Sequence, residues 1–521
     1  MGIFRKAMMG VIKSLTPQAT QQPKVSRTPL KSSLEEVLYE IQHRLGHSND
    51  VIVRRLSLDA SSDPDIALIY TEGLANTKDI LVSLLVDLQK IHPEISRYPK
   101  DQQLQLLKNS ILRTGDIHDI TNYESLISAL LSGDTIILLN GCTQAIGACT
   151  RDWQDRGINE PASQTVIRGP REGFTETLRT NTMLIRRKIK DENLWLETMP
   201  IGRKTRTDVS IMYLKGTADE ELVNEVRSRL KRIDMEAVLE SAYIEEMIQD
   251  DSLTPFPTIY NTERPDVAAA GLLEGRVVIL VDGTPFVLLA PALFTHFIQT
   301  AEDYYQRADI SSLLRLLRYI SLFIATLAPA AYIAATTFHQ EMIPTTLLIR
   351  VAAQHEGIPF PAFIEALIME IIFEILREAG VRMPRAIGQA VSIVGALVIG
   401  QAAVEAGLVG TAMVIIVSLT AISNLVIPSF NMGIAIRMIR FVLMALAASF
   451  GLFGILIGLF ALTLHLCSLR SFGVPYMAPL APYIRQDQKD NLIRLPHWAL
   501  TVKQRLIRQR GTVDKQQPNE N

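Results

Sequence analysis

Glu370, Glu374 and Glu378 recur at every fourth position, with Glu365 just ahead of them. They sit in an otherwise apolar stretch that carries Phe363, Ile364, Leu367, Ile368, Ile371, Ile372 and Ile375. At 3.6 residues per turn the three acids share one face of a helix spanning 362–378, and like charges so spaced repel by a few tenths of a kcal/mol per pair. Two arrangements would offset that cost. One is a solvated face on an interfacial helix, with Arg377, Arg382 and Arg385 as partners. The other is a ring of carboxylates at the mouth of a symmetric pore, where the same field attracts cations. Glu365, Glu370 and Glu374 are the pore-entrance candidates of the second arrangement.

The next stretch could supply a lining. Residues 386–404 are rich in small side chains, Gly388, Ala390, Ser392, Gly395, Ala396, Gly400, Ala402 and Ala403 among them, and small faces let helices approach closely. Helical phase places Gln389, Ser392, Ala396, Ile399 and Ala403 on one side and Val394, Val398, Gln401 and Glu405 on another, and either side could face an aqueous path. Ser392, Gly395, Val398, Ile399 and Gln401 are the pore-lining candidates; close helix packing is the plainer use of the same residues.

Other chemistry lacks a seat. The soluble half has no GxxxxGK[ST], HExxH or GxSxG pattern, so neither phosphate cradle nor hydrolytic site is expected. Cys142, Cys149 and Cys467 form no CxxC pair, and His43, His47, His92 and His118 follow no ligand spacing. No catalytic residue, metal or cofactor is expected. Arg168-Gly-Pro-Arg171-Glu-Gly173 could receive an anion or serve as a turn-rich connector. A formal net charge of −2 argues against a nucleic-acid partner.

The acids and small residues belong to a region built for a bilayer. Uncharged runs at 319–338, 386–404, 406–436 and 441–469 follow one another, and roughly 20 apolar residues cover a hydrocarbon core of about 30 Å. Pro329 lies inside the first run, and Pro428-Ser-Phe-Asn431 breaks the chain before the last. Glu302-Asp-Tyr-Tyr305, Arg307, Arg315 and Arg318 stand where a headgroup layer would receive them, and residues 286–298 are long enough only for an interfacial or re-entrant segment. Asn424 is expected to hydrogen-bond between helices. The basic residues after Arg485 suit an anionic inner leaflet. Four crossings, within a range of four to six helical segments, place both termini in the cytoplasm.

The soluble half repeats itself. Asp65-Ile-Ala-Leu-Ile-Tyr-Thr-Glu-Gly73 resembles Asp208-Val-Ser-Ile-Met-Tyr-Leu-Lys-Gly216, and Gly133 before Thr135-Ile-Ile-Leu-Leu-Asn-Gly141 resembles Gly275 before Val277-Val-Ile-Leu-Val-Asp-Gly283. Gly216 follows Gly73 by 143 residues and Gly275 follows Gly133 by 142, an agreement that predicts two copies of one unit. Ser33 with Glu36 opens a helix, and 51–58 reads as a strand. The expected fold class is an α/β soluble amino-terminal region, two similar α/β subdomains, followed by an α-helical multi-pass membrane domain. The expected order is a flexible tether (1–32), first subdomain (33–150), connector (151–192), second subdomain (193–290), membrane domain (291–470) and basic tail (471–521).

Taken together, Glu302-Asp-Tyr-Tyr305, His339-Gln-Glu-Met-Ile-Pro344, Pro359-Phe-Pro361, Glu374-Ile-Leu-Arg-Glu-Ala-Gly380, Ser392-Ile-Val-Gly395 with Gly400-Gln-Ala-Ala-Val404, and Ser471-Phe-Gly-Val-Pro-Tyr476 resemble the A subunit of bacterial spore germinant receptors of the GerA type. The resemblance covers about residues 50–485. It implies a multi-pass protein of the spore inner membrane that works with a transporter-like, nutrient-sensing B subunit and a lipoprotein C subunit. It also implies assembly into a homo-oligomeric, nutrient-gated ion channel whose opening triggers germination. The rival expectations are a secondary transporter or its regulatory subunit, and a membrane-anchored scaffold for germination proteins.

Overall fold

Short apolar strands bounded by glycines, alternating with amphipathic helices, build two five-stranded sheets in the first half of the chain. The computed structural model describes residues 28–56, 66–76, 99–111, 117–151, 160–161, 164, 166–355, 357–382, 398–484 and 487–497. The chain divides into two compact units. The first is Met1–Gln249, Ile259–Pro291 and Thr501–Asn521; the second is Asp250–Thr258 and Ala292–Leu500.

In the first unit, β1 (Val51–Leu56), β2 (Ile66–Thr71), β3 (Ile117–Ile120), β4 (Thr135–Leu139) and β5 (Ala145–Ala148) form one sheet in the order β1-β2-β4-β5-β3. The second sheet comprises β6 (Leu194–Ile201), β7 (Thr207–Leu214), β8 (Tyr260–Thr262), β9 (Val277–Val281) and β10 (Val287–Ala290), in the order β6-β7-β9-β10-β8. Position for position the two orders are the same, and every neighbouring pair is antiparallel. The repeated segments are the second and fourth strands of each sheet. The glycines that bound them share a backbone state: φ is +84° at Gly73 and +75° at Gly216 after the second strands, and +95° at both Gly133 and Gly275 before the fourth. An L side chain pays about 1 kcal/mol or more in that region, which explains why glycine recurs there.

Central β4 and β9 are buried along their whole length, so they read as continuous apolar runs rather than alternating ones. Helices Leu34–Arg44 and Tyr123–Leu131 cover one face of the first sheet through Leu38, Ile41, Tyr123 and Leu126. Leu178–Lys188 and Pro265–Glu274 do the same for the second through Leu184, Ile185 and Leu272. The first helix begins after Ser33, but the Ser33 side chain makes no capping bond; Glu36 instead pairs with Lys31 at 2.9 Å.

The two subdomains interlock through one buried ion pair. Arg186 donates to both carboxylate oxygens of Asp50, at 2.7 and 3.0 Å, and to the Leu194 carbonyl at 2.8 Å. The Asn49 amide donates to the Leu196 carbonyl, and the Leu196 amide to the Ser48 hydroxyl. In the connector, Arg171 pairs with Glu160, while Arg187 and Lys188 pair with Glu172. Residues 287–290 are the fourth strand in the order of the second sheet, and Phe294–Phe297 is a buried turn of 3-10 helix. The segment 286–298 is therefore not re-entrant: its apolar residues fill a sheet and a core.

The second unit is helical. Ala308–Thr337 continues through Pro329 for 30 residues. Thr345–His355, Ala362–Arg382, residues 398–405 and Thr411–Leu425 follow, and then Phe430–Ser468, whose helix is interrupted at Gly451 (φ 61°, ψ −142°). The chain reverses there. A Cβ at Gly454 would collide with the Leu446 carbonyl, and one at Gly458 would lie 2.5 Å from Leu443 Cδ2. Along a straight helix those partners would be roughly 12 and 22 Å apart. The arms 430–450 and 452–468 thus form a hairpin with its tip at Phe338 and His339, the far end of the first long helix.

By length and apolarity, Ala308–Thr337 and Phe430–Ser468 could cross a membrane, and Thr411–Leu425 is a shorter apolar helix. The expected run at 406–436 is broken by Pro428, and the next helix begins at Phe430 rather than 441, with the Ser429 hydroxyl accepting from the Met432 amide. Phe323, Val442, Phe450, Phe453, Leu456, Phe460 and Leu464 are exposed, large apolar side chains that a lipid or protein surface would cover.

Arg315 and Arg318, near the start of the first long helix, are held by acids inside the protein, while Arg307 is exposed beside Asp309. Arg315 is fully buried and donates to Asp303, Asp490 and the Asn491 carbonyl, while Arg318 pairs with Asp303 at 2.8 Å. Ser312 and the Arg494 backbone exchange bonds, and Tyr319 donates to Asn491. Part of the basic tail is thus folded against this helix: Arg494 is buried over the Tyr304 ring instead of reaching lipid.

Candidate functional site

Residues 362–382 and 430–450 run antiparallel, and their charges meet in register. Arg440 donates at 2.8 Å to each carboxylate oxygen of Glu370, with both residues buried. One turn away Glu374 pairs with Arg437. A further turn along, Arg377 lies beside Asn424; with the amide oxygen turned toward it, Asn424 accepts from Arg377 at 2.9 Å and donates to the Gly433 carbonyl at 3.2 Å. Asn424 therefore bonds between helices, as its apolar surroundings predict. Glu365, fully buried, accepts from the Gly410 amide at 2.9 Å, tying the start of one helix to the start of the 411–425 helix. Glu378 pairs with Arg382 on its own helix.

The repulsion along the 370–378 face is thus answered mainly from outside the helix. Arg440 stands eleven residues from the Gly451 reversal and ten from Phe430, so the Glu370–Arg440 pair is at the middle of its arm, roughly 15 Å from either end. Charges there are costly unless matched and hydrogen-bonded. All three entrance candidates have partners: Glu365 a backbone amide, Glu370 and Glu374 arginines.

Of the lining candidates, Val398, Ile399 and Gln401 lie on the helix 398–405, while Ser392 and Gly395 lie outside the described residues. Val398 is 56% exposed, and Gln401 donates to Glu405 one turn on at 2.9 Å. Gln401, Val404 and Glu405 line a cavity of about 1100 Å³, together with Glu370, Glu374, Arg377, Arg437 and Arg440. Glu370, Glu374 and one lining candidate, Gln401, therefore meet around one space, between the helices 362–382, 398–405, 411–425 and 430–450, whereas Glu365 does not line it. Val398 and Ile399 are not among its walls.

In the sequence Arg437 and Arg440 fall between the uncharged runs 406–436 and 441–469 and so look like charges flanking two spans. The available signal was spacing: two cations three residues apart can face two acids four residues apart on an antiparallel helix. Their position inside an apolar helix becomes readable only once Phe430 is its first residue.

A family model described as Bacillus/Clostridium GerA spore germination protein matches residues 39–506. Spore germination protein KA of Bacillus subtilis (strain 168) is 49% identical over 92% of this chain and 87% of its own length. The membrane protein YfkQ of the same organism, whose function is uncharacterised, is 44% identical over 91% of each chain. Spore germination protein GerLA of Bacillus cereus is 39% identical over 90% of this chain and 94% of its own. The crystal structure of the N-terminal domain of the A subunit of the Bacillus megaterium spore germinant receptor GerK3 aligns with 52% of this chain and 98% of its own, at 39% identity and a TM-score of 0.42.

Proposed function

Because this chain belongs to the GerA family of spore germination proteins, we propose that it is the A subunit of a nutrient germinant receptor in the spore inner membrane. In this reading it crosses the membrane several times with both ends in the cytoplasm and works beside a transporter-like B subunit and a lipoprotein C subunit. Copies of the chain assemble into a nutrient-gated ion channel, and catalysis plays no part.

The observation that carries the channel reading is the ladder of Glu370–Arg440 and Glu374–Arg437 beside a cavity that Gln401 also lines. Paired, those carboxylates hold two helices together and offer little field to a cation. Released, they become the intramembrane acids that an ion pathway uses. Nutrient binding at a partner biases the packing between these two arrangements. Ser392, Gly395, Val398, Ile399 and Gln401 line the path, and Glu365, Glu370 and Glu374 stand at its approach once their partners move.

The test is potassium release from spores carrying Val398→Ala at normal protein level, with and without nutrient. Release without nutrient, or dormancy lost during sporulation, supports a gate on this helix. Wild-type kinetics removes Val398 from the path. Unchanged flux from both Val398→Ala and Glu370→Ala, with assembly intact, favours a scaffold over a channel.

A further inference from the structure

The cavity beside the ion-pair ladder is asymmetric in charge along its length. Toward one end, where Phe430 begins the next arm, stands Arg377, followed inward by the Glu374–Arg437 pair and, at mid-arm, by Glu370–Arg440. Among the described residues Arg377 has no carboxylate partner: its guanidinium meets the Asn424 amide and lies 5.7 Å from the Phe430 ring centroid. Arg440 Nε is buried without a hydrogen-bond partner. The acid at the other end, Glu405, stands near the Gly407 turn, beside Gly357, and is engaged by Gln401. Between the ends the walls are apolar: Phe373, Val404, Val414, Ile415, Ile422 and Leu425.

We propose that this cavity holds an anionic phospholipid, its phosphate against Arg377 and Arg437 and an acyl chain along Phe373, Val414, Ile415 and Ile422. Guanidinium groups match phosphate with paired, charge-assisted hydrogen bonds, and basic pockets between membrane helices receive lipid headgroups on this principle. Arg377 lies beside Phe430, the first residue of the 430–450 arm, so it stands near an end of that arm, where a lipid headgroup could reach it. A small anion would occupy the arginine end and leave a long apolar wall facing water, whereas an amphiphile satisfies both ends of the space. The lipid site does not require the protein to conduct ions.

The experiment uses the full chain purified in a neutral detergent, with retained lipid counted by native mass spectrometry after adding phosphatidylglycerol or phosphatidylcholine. Wild type should retain phosphatidylglycerol in preference to phosphatidylcholine. Losing one charge-assisted contact in Arg377→Gln should weaken that retention about tenfold, while Arg377→Lys keeps most of it. Ala421→Trp, which narrows the apolar wall and leaves every charge in place, should exclude the lipid, with circular dichroism and the melting temperature reporting that the fold is kept. Excess glycerol 1-phosphate should not displace the lipid. Equal retention of the two lipids by wild type, or undiminished retention by Arg377→Gln, overturns the proposal. Displacement by glycerol 1-phosphate makes this a small-anion site instead, and a dimer that buries this face and excludes phosphatidylglycerol makes the occupant a second copy of the chain.

Discussion

Arg440 holds one guanidinium nitrogen equidistant, at 2.8 Å, from the two carboxylate oxygens of Glu370, midway along two antiparallel helices. Removing one member of such a pair strands the other charge in an apolar setting, which costs about 3–5 kcal/mol, whereas replacing both with apolar groups of similar volume is often neutral. Glu370→Gln or Arg440→Gln alone is therefore expected to lower the melting temperature of the purified protein steeply. The double variant Glu370→Leu with Arg440→Met should recover most of the loss. A double variant as unstable as the sum of its parts would mean that the two residues do not act as a pair.

Asp50 and Arg186 make the corresponding contact between the tandem subdomains, buried and two-pronged. Asp50→Ala should cost about 3–5 kcal/mol. Arg186→Lys should also destabilise, because an ammonium cannot reproduce the fork. Hydrogen exchange should accelerate first at residues 48–50 and along β6, the backbone they bond. Exchange that rises evenly over both sheets would argue against a local interlock.

Gly451→Ala tests the reversal in the last long helix. Its φ of 61° with ψ of −142° is a conformation that side-chain-bearing residues avoid at a cost of about 1–3 kcal/mol, and the new Cβ would lie 2.7 Å from His339 Cε1. Gly454→Leu should be worse, since its side chain meets the Leu446 carbonyl of the opposing arm. The readout is melting temperature together with protease sensitivity near His339. A fully tolerated Gly454→Leu would mean that the arms do not pack at that point.

Glu245, on the helix Ser241–Ile248, titrates at about 7, pushed up by burial and then by the nearby Glu240 charge, with a hydrogen bond from Asn261 opposing the rise. The folded state therefore holds a proton that an unfolded carboxyl, titrating near 4.5, releases earlier. The resulting stability is fully present below about 4.5 and is lost as pH rises through about 7. Protection of the 241–248 amides should fall between pH 5 and pH 8 in wild type, and Glu245→Gln should flatten that dependence. An equal slope in both proteins would assign the titration to another group.

The α/β half is legible in the sequence because its signals are local. Gly73, Gly133, Gly216 and Gly275 mark left-handed turns at fixed distances from apolar runs, and the turn chemistry and the runs specify the same strands. The helical half is less legible because its information is relational. Glu370 and Glu374 on one helix look like an unexplained repulsion, and Arg437 and Arg440, more than sixty residues later, look like loop charges. Only their juxtaposition shows each set neutralising the other. The segment 286–298 misleads for a related reason: in Val287–Ala290, apolar residues that fill an internal strand have the composition of ones that enter a bilayer.

The burial of Arg315 also imposes an order in time. Its first acid, Asp303, leaves the ribosome before it, but Asp490 comes 175 residues later. At about 5–20 residues per second that is an interval of roughly 9–35 s, during which the base of the first long helix stands with one of its acids still unmade. The helices that follow are therefore synthesised around an incomplete charge cluster, and the segment that completes it is among the last to be translated. Any premature stop before Asp490 would leave that arginine permanently short of its second acid.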